Sequence, residues 1–438
     1  MSILMQNEHA MLKPNFMKNA GLVCIAIIVL LVGVNSLYAD NQLQATSLQS
    51  LIEEALKNNS EIKSYKYNVD AYETRPSQAR SLDNPRIGLA IANLPVDTFR
   101  FDQEAMTQKQ ILLKQKVPFP GKLSLKKGIA EKDLIIAQEE LSEKQNTVIA
   151  NVKSTYFDLI FLQRSLDITK RNRDLLAGFI ETAESRYSVG KASQREVIKS
   201  QLELSGMLRK LLYLEQKQKA AEAQLTSLLS RDENIPFLLE EKAQTVFDYD
   251  DEKLMVIAME RPMLSALAYQ VERAKLSRRL SEKDFYPDFD FGISYGQRDN
   301  TGDISRPDFF SASVTMNIPL WFKGKESKKV AEEAAKAKKA EEAYETMRDE
   351  IYFQVRLIIS EIDQLEKEME LLKTGLIPQS ALAFDSTVAA YKVNKAAFLD
   401  LVRNQIGLYN YEIEYFQAVM AREKKLARLE AIVGKRLF

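Results

Sequence analysis

The chain has one cysteine, Cys24, and one histidine, His9, in 438 residues. It has one tryptophan, Trp321, and no surplus charge, with 61 basic residues against 61 acidic. Each scarcity excludes something. Nucleic acid is not an expected partner, because that role draws a basic surplus. Disulfide staples need paired cysteines, and none can pair. Ser-His-Asp and Cys-His catalysis need a histidine, as do the usual zinc and copper sites.

Both rare residues fall in a leader-like segment. Lys13 and Lys18 precede an apolar run at 20–34, and Ser36-Leu37-Tyr38-Ala39 ends on a small residue ahead of Asp40. That is the pattern of a secretory signal over residues 1–39. A membrane anchor is the alternative, but a spanning helix needs about 20 residues. Cys24 sits inside the apolar run behind Val23, so lipidation is not expected. A mature chain from Asp40 has neither cysteine nor histidine. No cofactor is expected, and no catalytic group.

Proline is absent between Gly121 and Pro236. Residues 122–186 are rich in Lys, Glu, Ala, Leu and Gln, all good helix formers. They predict one helix on the order of 100 Å long. Residues 187–193 (YSVGKAS) interrupt it, with Gly190 suited to a left-handed cap. A second helix to about Ser230 carries Val197, Leu204, Leu208 and Leu211 at coiled-coil spacing. Ahead of these, 48–82 reads as one helix that Pro76 bends and Pro85 ends. Residues 86–94 and 108–117 then alternate like strands.

The plan then starts again, giving a first repeat over 40–250 and a second over 251–438. Residues 253–284 read as helix broken at Pro262. Strands follow within 288–318, with Phe289, Phe291, Ile293 and Tyr295 on one face, then Phe310, Ala312, Val314, Met316 and Ile318. Gly324 opens another long helix, kinked at 375–378, and residues 391–396 (YKVNKA) interrupt it. Pro85 matches Pro287, Pro118 matches Pro319, Lys122 matches Lys325, Tyr187 matches Tyr391 and Gln201 matches Gln405, at spacings of 201 to 204 across the chain. That is an internal duplication.

Each half thus has two strands of bilayer-crossing length with one apolar face. Phe119, Phe285, Tyr286, Trp321 and Phe322 stand at one end as interface aromatics, and Phe99, Phe101, Phe309 and Phe310 at the other. The alternative is a small soluble sheet packed on helices. Four strands cannot close a barrel, and open edges are not tolerated in lipid. Membrane strands would therefore have to be shared among chains. Eight strands leave a barrel filled by side chains, so a conduit favours three chains or more. The stretches KVPFPGK and NIPLWFKGK read as junctions, where a strand leaves the membrane and becomes a helix. Glycine permits the turn there, and lysine marks the water side.

Four stretches carry a family resemblance: SLQSLIEEALKNNSEI (47–62), VPFPGKLSLKKGIAEKDL (117–134), RYSVGKASQREVIKSQLEL (186–204) and LIPQSALAFDSTVAAYKVNKAAFLDLV (376–402). The chain resembles the TolC-type outer-membrane efflux proteins, over essentially all of its mature length. VPFPGK is most similar to the cobalt-zinc-cadmium and copper-silver subgroup. The resemblance implies a mainly α fold with a small β part. A homotrimer would share a 12-stranded barrel in the outer membrane above a long periplasmic helical tunnel. It implies outer-membrane lipid around the strands, and a periplasmic adaptor and an inner-membrane pump as partners. Adaptor docking falls on Tyr187, Val189, Gly190 and Lys191, and on Tyr391, Val393, Asn394 and Lys395. Asn394 stands where the family tip has glycine. Some relatives narrow the tunnel mouth with two acidic residues. Here Asp400 matches the first and Arg403 stands at the second. Asp400 is a gate candidate, with Glu196 its counterpart in the first half. Alternatively Arg403 pairs with Asp400 and locks the ring, or both are plain solvated side chains.

The implied function is the passive exit duct of a tripartite efflux pump, heavy-metal cations being one possible cargo. A duct for type I protein secretion shares the fold. A periplasmic coiled-coil scaffold without a barrel is the alternative of another class. Asp288-x-Asp290 resembles a metal pair, but strand alternation makes Asp290 a lumen residue. The 13 methionines are scattered core fillers. The Lys/Glu-rich segment 323–348 reads as the exposed face of a helix.

Overall fold

The computed structural model describes residues 46–232, 237, 239–240, 244–248 and 250–437. The expected signal segment and parts of the inter-repeat link lie outside these. Thr46 and Leu239 form a parallel bridge in a small unit of their own. The helices and strands belong to the large unit, 47–236 and 241–438.

Helix α1 (Leu48–Asn58) starts at Ser47, whose side chain accepts from the Ser50 N–H, and buries Leu48, Leu51, Ile52 and Ala55. The single helix expected over 48–82 is three. Asn59 ends α1 and caps α2 (Ser60–Glu73), its Oδ1 accepting from the N–H groups of Glu61 and Ile62 at 3.0 and 3.1 Å. A short polar side chain that bonds nearby backbone competes with the helical ladder. Helix α3 (Arg75–Arg80) then starts with Pro76 in its first turn, where no N–H is needed. Pro76 opens a helix rather than bending one.

Strands β1 (Arg86–Ala92) and β2 (Gln108–Val117) precede α4 (Lys122–Ser188), a single helix of 67 residues. Val152, Tyr156, Leu159, Leu162 and Leu166 carry its three-and-four core spacing. In α5 (Gln194–Leu229) the buried seam runs through Met207, Leu211 and Leu214. Leu208, expected in that seam, turns outward.

The second half follows the same order. Helices α6 (Asp251–Ala258) and α7 (Pro262–Glu282) lead to β3 (Phe289–Gln297), β4 (Phe309–Met316) and α8 (Glu326–Leu371). A π-helical turn, Leu372–Leu376, joins α8 to α9 (Ile377–Lys392), just ahead of Pro378. This is the physical form of the expected kink: the turn takes up the distortion, and Pro378 then sits in a first turn. Helix α10 (Phe398–Val433) closes the chain. Helix α8 begins two residues after Gly324, not at it.

The four strands form one antiparallel sheet in chain order, with β1 and β4 as open edges. Register aligns Ile87 with Leu113 and Ile293, and Leu89 with Ile111, Tyr295 and Phe310. The middle of one face is therefore apolar from edge to edge, with Gln115 toward the junctions and Lys109 and Gln297 at the far end. Among the described residues no helix lies across that face, and Leu89 is 82% and Ile87 76% exposed. The soluble-sheet alternative required helices over this face. Among the described residues no helix is long and apolar enough to cross a membrane.

Candidate functional site

Two places carry the expected functional residues: the strand–helix junctions and the helix ends between α4 and α5 and between α9 and α10.

At the junctions the interface aromatics gather from three segments. Phe119 stacks on Tyr286 with ring centroids 4.5 Å apart, and Lys283 lies over both rings. Phe285 and Phe322 meet at 6.3 Å, while Trp321 is 80% exposed. Such rings suit a boundary that is apolar on one side and wet on the other. At the far end Phe310 lies on the apolar face. Phe309 shares the opposite face with Gly296 and Gln110, under the Arg298 guanidinium.

Sequence reasoning missed the group that ties the junctions together. Lys122 was expected to mark the water side, yet it is buried. Its ammonium donates to Asp288 at 2.9 Å and lies 3.3 Å from Asp284. Asp288 also accepts from the Phe119 N–H at 2.9 Å, and its own N–H donates to Asn317 Oδ1 at 2.6 Å. Lys329 donates to Asp284 at 2.7 Å. The first junction, the start of β3, the end of β4 and the start of α8 thus meet at Asp284 and Asp288. Burial alone would push the Asp288 carboxyl up. The hydrogen bonds from Lys122 and Phe119, with the charges of Lys122 and Lys116, outweigh burial and hold it below its ordinary value. The available signal was Asp288 standing directly after Pro287, where an acceptor can reach a neighbouring chain turn.

The two junctions are not equivalent. Gly121 turns with φ +92°, a left-handed conformation, whereas Gly324 is not among the positive-φ residues. Lys122 is buried, but its counterpart Lys325 is 79% exposed at the side chain.

At the helix ends Gly190 has φ +73° and Asn394 φ +59°, so Asn394 takes the same left-handed turn as Gly190. The two matched tyrosines part company. Tyr391 is buried against Phe398, with ring centroids 5.6 Å apart and the Arg186 guanidinium 4.5 Å above its ring. Burial pushes its hydroxyl pKa up, and the Arg186 charge opposes that. Tyr187 is exposed, as are Val189, Gly190, Lys191, Val393, Asn394 and Lys395. Arg186 also bonds Asn394 Oδ1, so the two tips are fastened to each other. Between them lies a cleft of about 420 Å³ lined by Arg186, Lys191, Glu196, Tyr391, Asn394 and Phe398. Asp400, on the first turn of α10, and Arg403, one turn on, lie outside that lining, exposed and 3.7 Å apart.

Among the described residues no group of three or more His, Cys, Asp or Glu is placed to hold a metal ion. Asp288 and Asp290, the apparent metal pair, separate: Asp288 faces the lysine clamp, and Asp290 lies on the polar strand face opposite Lys116 and Thr315.

Known proteins share this organisation. A curated relative, the cobalt-zinc-cadmium resistance protein CzcC of Cupriavidus metallidurans, is 20% identical over 372 residues, covering 84% of this chain and 85% of that protein. A solved membrane protein from Pseudomonas aeruginosa superposes with a TM-score of 0.78 at 17% identity, covering 89% of this chain and 90% of its own. A structure of CusC superposes at 0.75 with 13% identity, covering 91% and 93%. The outer membrane efflux protein family model matches residues 51–231 and 256–435. With most of its length matched in two segments that each contain a strand pair and a long helix pair, the chain belongs to the outer membrane efflux protein family.

Proposed function

We propose that this chain is the exit duct of a tripartite efflux pump, three copies sharing one barrel in the outer membrane and continuing as a helical tunnel in the periplasm. The observation that carries the reading is the uncovered apolar sheet face with both edges open. Lipid accepts such a face only when the edges are closed. With four strands per chain, three chains give the smallest closed barrel with a wet interior. The family match in two segments supports the internal duplication. The relation to CzcC supports heavy-metal species as cargo, delivered by an adaptor and an inner-membrane pump. Docking of the adaptor falls to the exposed tip residues Tyr187, Val189, Lys191, Val393 and Lys395, while Tyr391 holds the tip in shape from within.

Mass photometry and negative-stain imaging of protein extracted from outer membranes in mild detergent test this. The expected particle has three chains and a tube on the order of 100 Å long projecting from the micelle. A monomer that is soluble without detergent would replace the duct by a periplasmic scaffold.

Asp400 is read as a ring at the tunnel mouth, partly offset by Arg403. An exposed pair of this kind contributes under about 1 kcal/mol, so it does not lock the mouth by itself. Asp400→Ala is expected to change single-channel conductance about two-fold in a planar bilayer, through the field of the ring. Conductance equal to that of the unaltered protein would remove Asp400 from the gate.

A further inference from the structure

The second face of the sheet carries a charge pattern that the duct reading leaves unassigned. Register sets Arg86 of β1 directly opposite Lys114 of β2, and the row continues through Gly292 and Ser313. The row lies on the face away from the apolar one. Both cationic side chains are exposed, and neither has an acidic partner among the described residues. Like charges directly opposite one another destabilise an antiparallel pair. Among the described residues this pairing has no counter-charge of its own.

The neighbouring rows do not neutralise it. Toward the helices, Lys116 stands opposite Asp290, and those two charges offset each other. Lys116 is also 3.9 Å from Asp288, which the clamp already engages. Toward the far end the rows are Gly88, Leu112, Ser294 and Ser311, then Ala90, Gln110, Gly296 and Phe309, all uncharged. Among the strand residues of this face the unbalanced charge is therefore Arg86 and Lys114, with Arg298 standing over Phe309 at the far end.

We propose that Arg86 and Lys114 form an anion-selective ring inside the strand lumen. The proposal rests on the shared-barrel reading above. Two cations from each of three chains would circle the lumen at one level, near its helical end. Rings of Arg and Lys favour anions in a pore, and a confined lumen focuses their field. The exported species would then leave as an anion, or as a cation wrapped in an anionic complex. A bare divalent cation would meet a ring of its own sign.

The test is the reversal potential of the extracted trimer in a planar bilayer under a KCl gradient, for the unaltered protein and for Arg86→Gln/Lys114→Gln. The neutral variant keeps a polar side chain at both positions and removes a repulsion, so it is expected to assemble as the unaltered protein does. The unaltered channel should prefer chloride over potassium, and the variant should lose at least half of that preference. The loss should be larger at 0.1 M than at 1 M salt, where the screening length falls from about 10 Å to about 3 Å. A potassium-preferring unaltered channel would overturn the proposal and leave the duct intact. So would a chloride preference that the variant retains. Absence of any channel from a purified trimer would overturn the duct reading itself.

Discussion

Leu89→Arg is expected to abolish assembly of the extracted particle, while Ala90→Asn, one residue away, leaves it intact. Leu89, on the edge strand β1, begins a row that runs through Ile111, Tyr295 and Phe310 to the other edge of the sheet. Its side chain is 82% exposed on a face that no helix among the described residues covers. Against water, an exposed Leu→Arg change costs within about 0.5 kcal/mol. Against hydrocarbon near the bilayer midplane, an arginine on the lipid face costs about 2–4 kcal/mol per chain. A three-chain barrel repeats that cost in every chain. Ala90 points to the other face, among Gln110 and Gly296, where an amide remains hydrated. The measurement is the fraction of each variant that migrates as an undissociated trimer from outer-membrane fractions. Equal fractions for the two variants would mean that the apolar face does not meet lipid, and the shared barrel would go with it.

Much of this architecture is legible in the sequence because its signals are periodic and local. Alternation at Ile87, Leu89 and Ile91 and at Phe289, Phe291 and Ile293 gives the strands and their faces. The absence of proline over more than a hundred residues after Gly121 gives the long helix. The left-handed turns at Gly190 and Asn394 follow from residue type and position. What escaped depends on partners distant in sequence. Asn59 reads as an ordinary helical residue until its amide is seen to donate to the Leu228 carbonyl at 2.9 Å while its oxygen caps α2. Leu208 fits a seam on spacing alone, but α5 is rotated so that Met207 takes the buried place. Tyr187 and Tyr391 occupy matched positions, yet Phe398 and Arg186 enclose only Tyr391.

Lys122 shows the same limit most clearly, and it gives the second large effect. Asp288→Ala is expected to destabilise the protein by about 2–3 kcal/mol. Removing one partner of a buried pair costs about 3–5 kcal/mol, because the other charge is left without compensation. The lower figure applies here because Asp284 remains 3.3 Å from Lys122. The Phe119 N–H also loses its acceptor. Asp290→Asn, on the exposed strand face, should change stability by less than about 0.5 kcal/mol. Adding Lys122→Met to Asp288→Ala should recover part of the loss, since no unpaired ammonium then remains buried. The size of that recovery isolates the ion pair from the other contacts. The pH dependence has a definite sign. The folded-state pKa of Asp288 is depressed, so its contribution is fully present above the ordinary carboxylate value of about 3.9. It is lost only as pH falls through the lower folded value. Between pH 5 and 8 the stability gap between the unaltered protein and Asp288→Ala should therefore be flat, and it should shrink only in acid. Chemical unfolding midpoints of the extracted protein read this directly. A gap that closes at neutral pH would show that Lys122 and Asp288 are not paired in the folded state. The junction would then be held by its stacked aromatics alone.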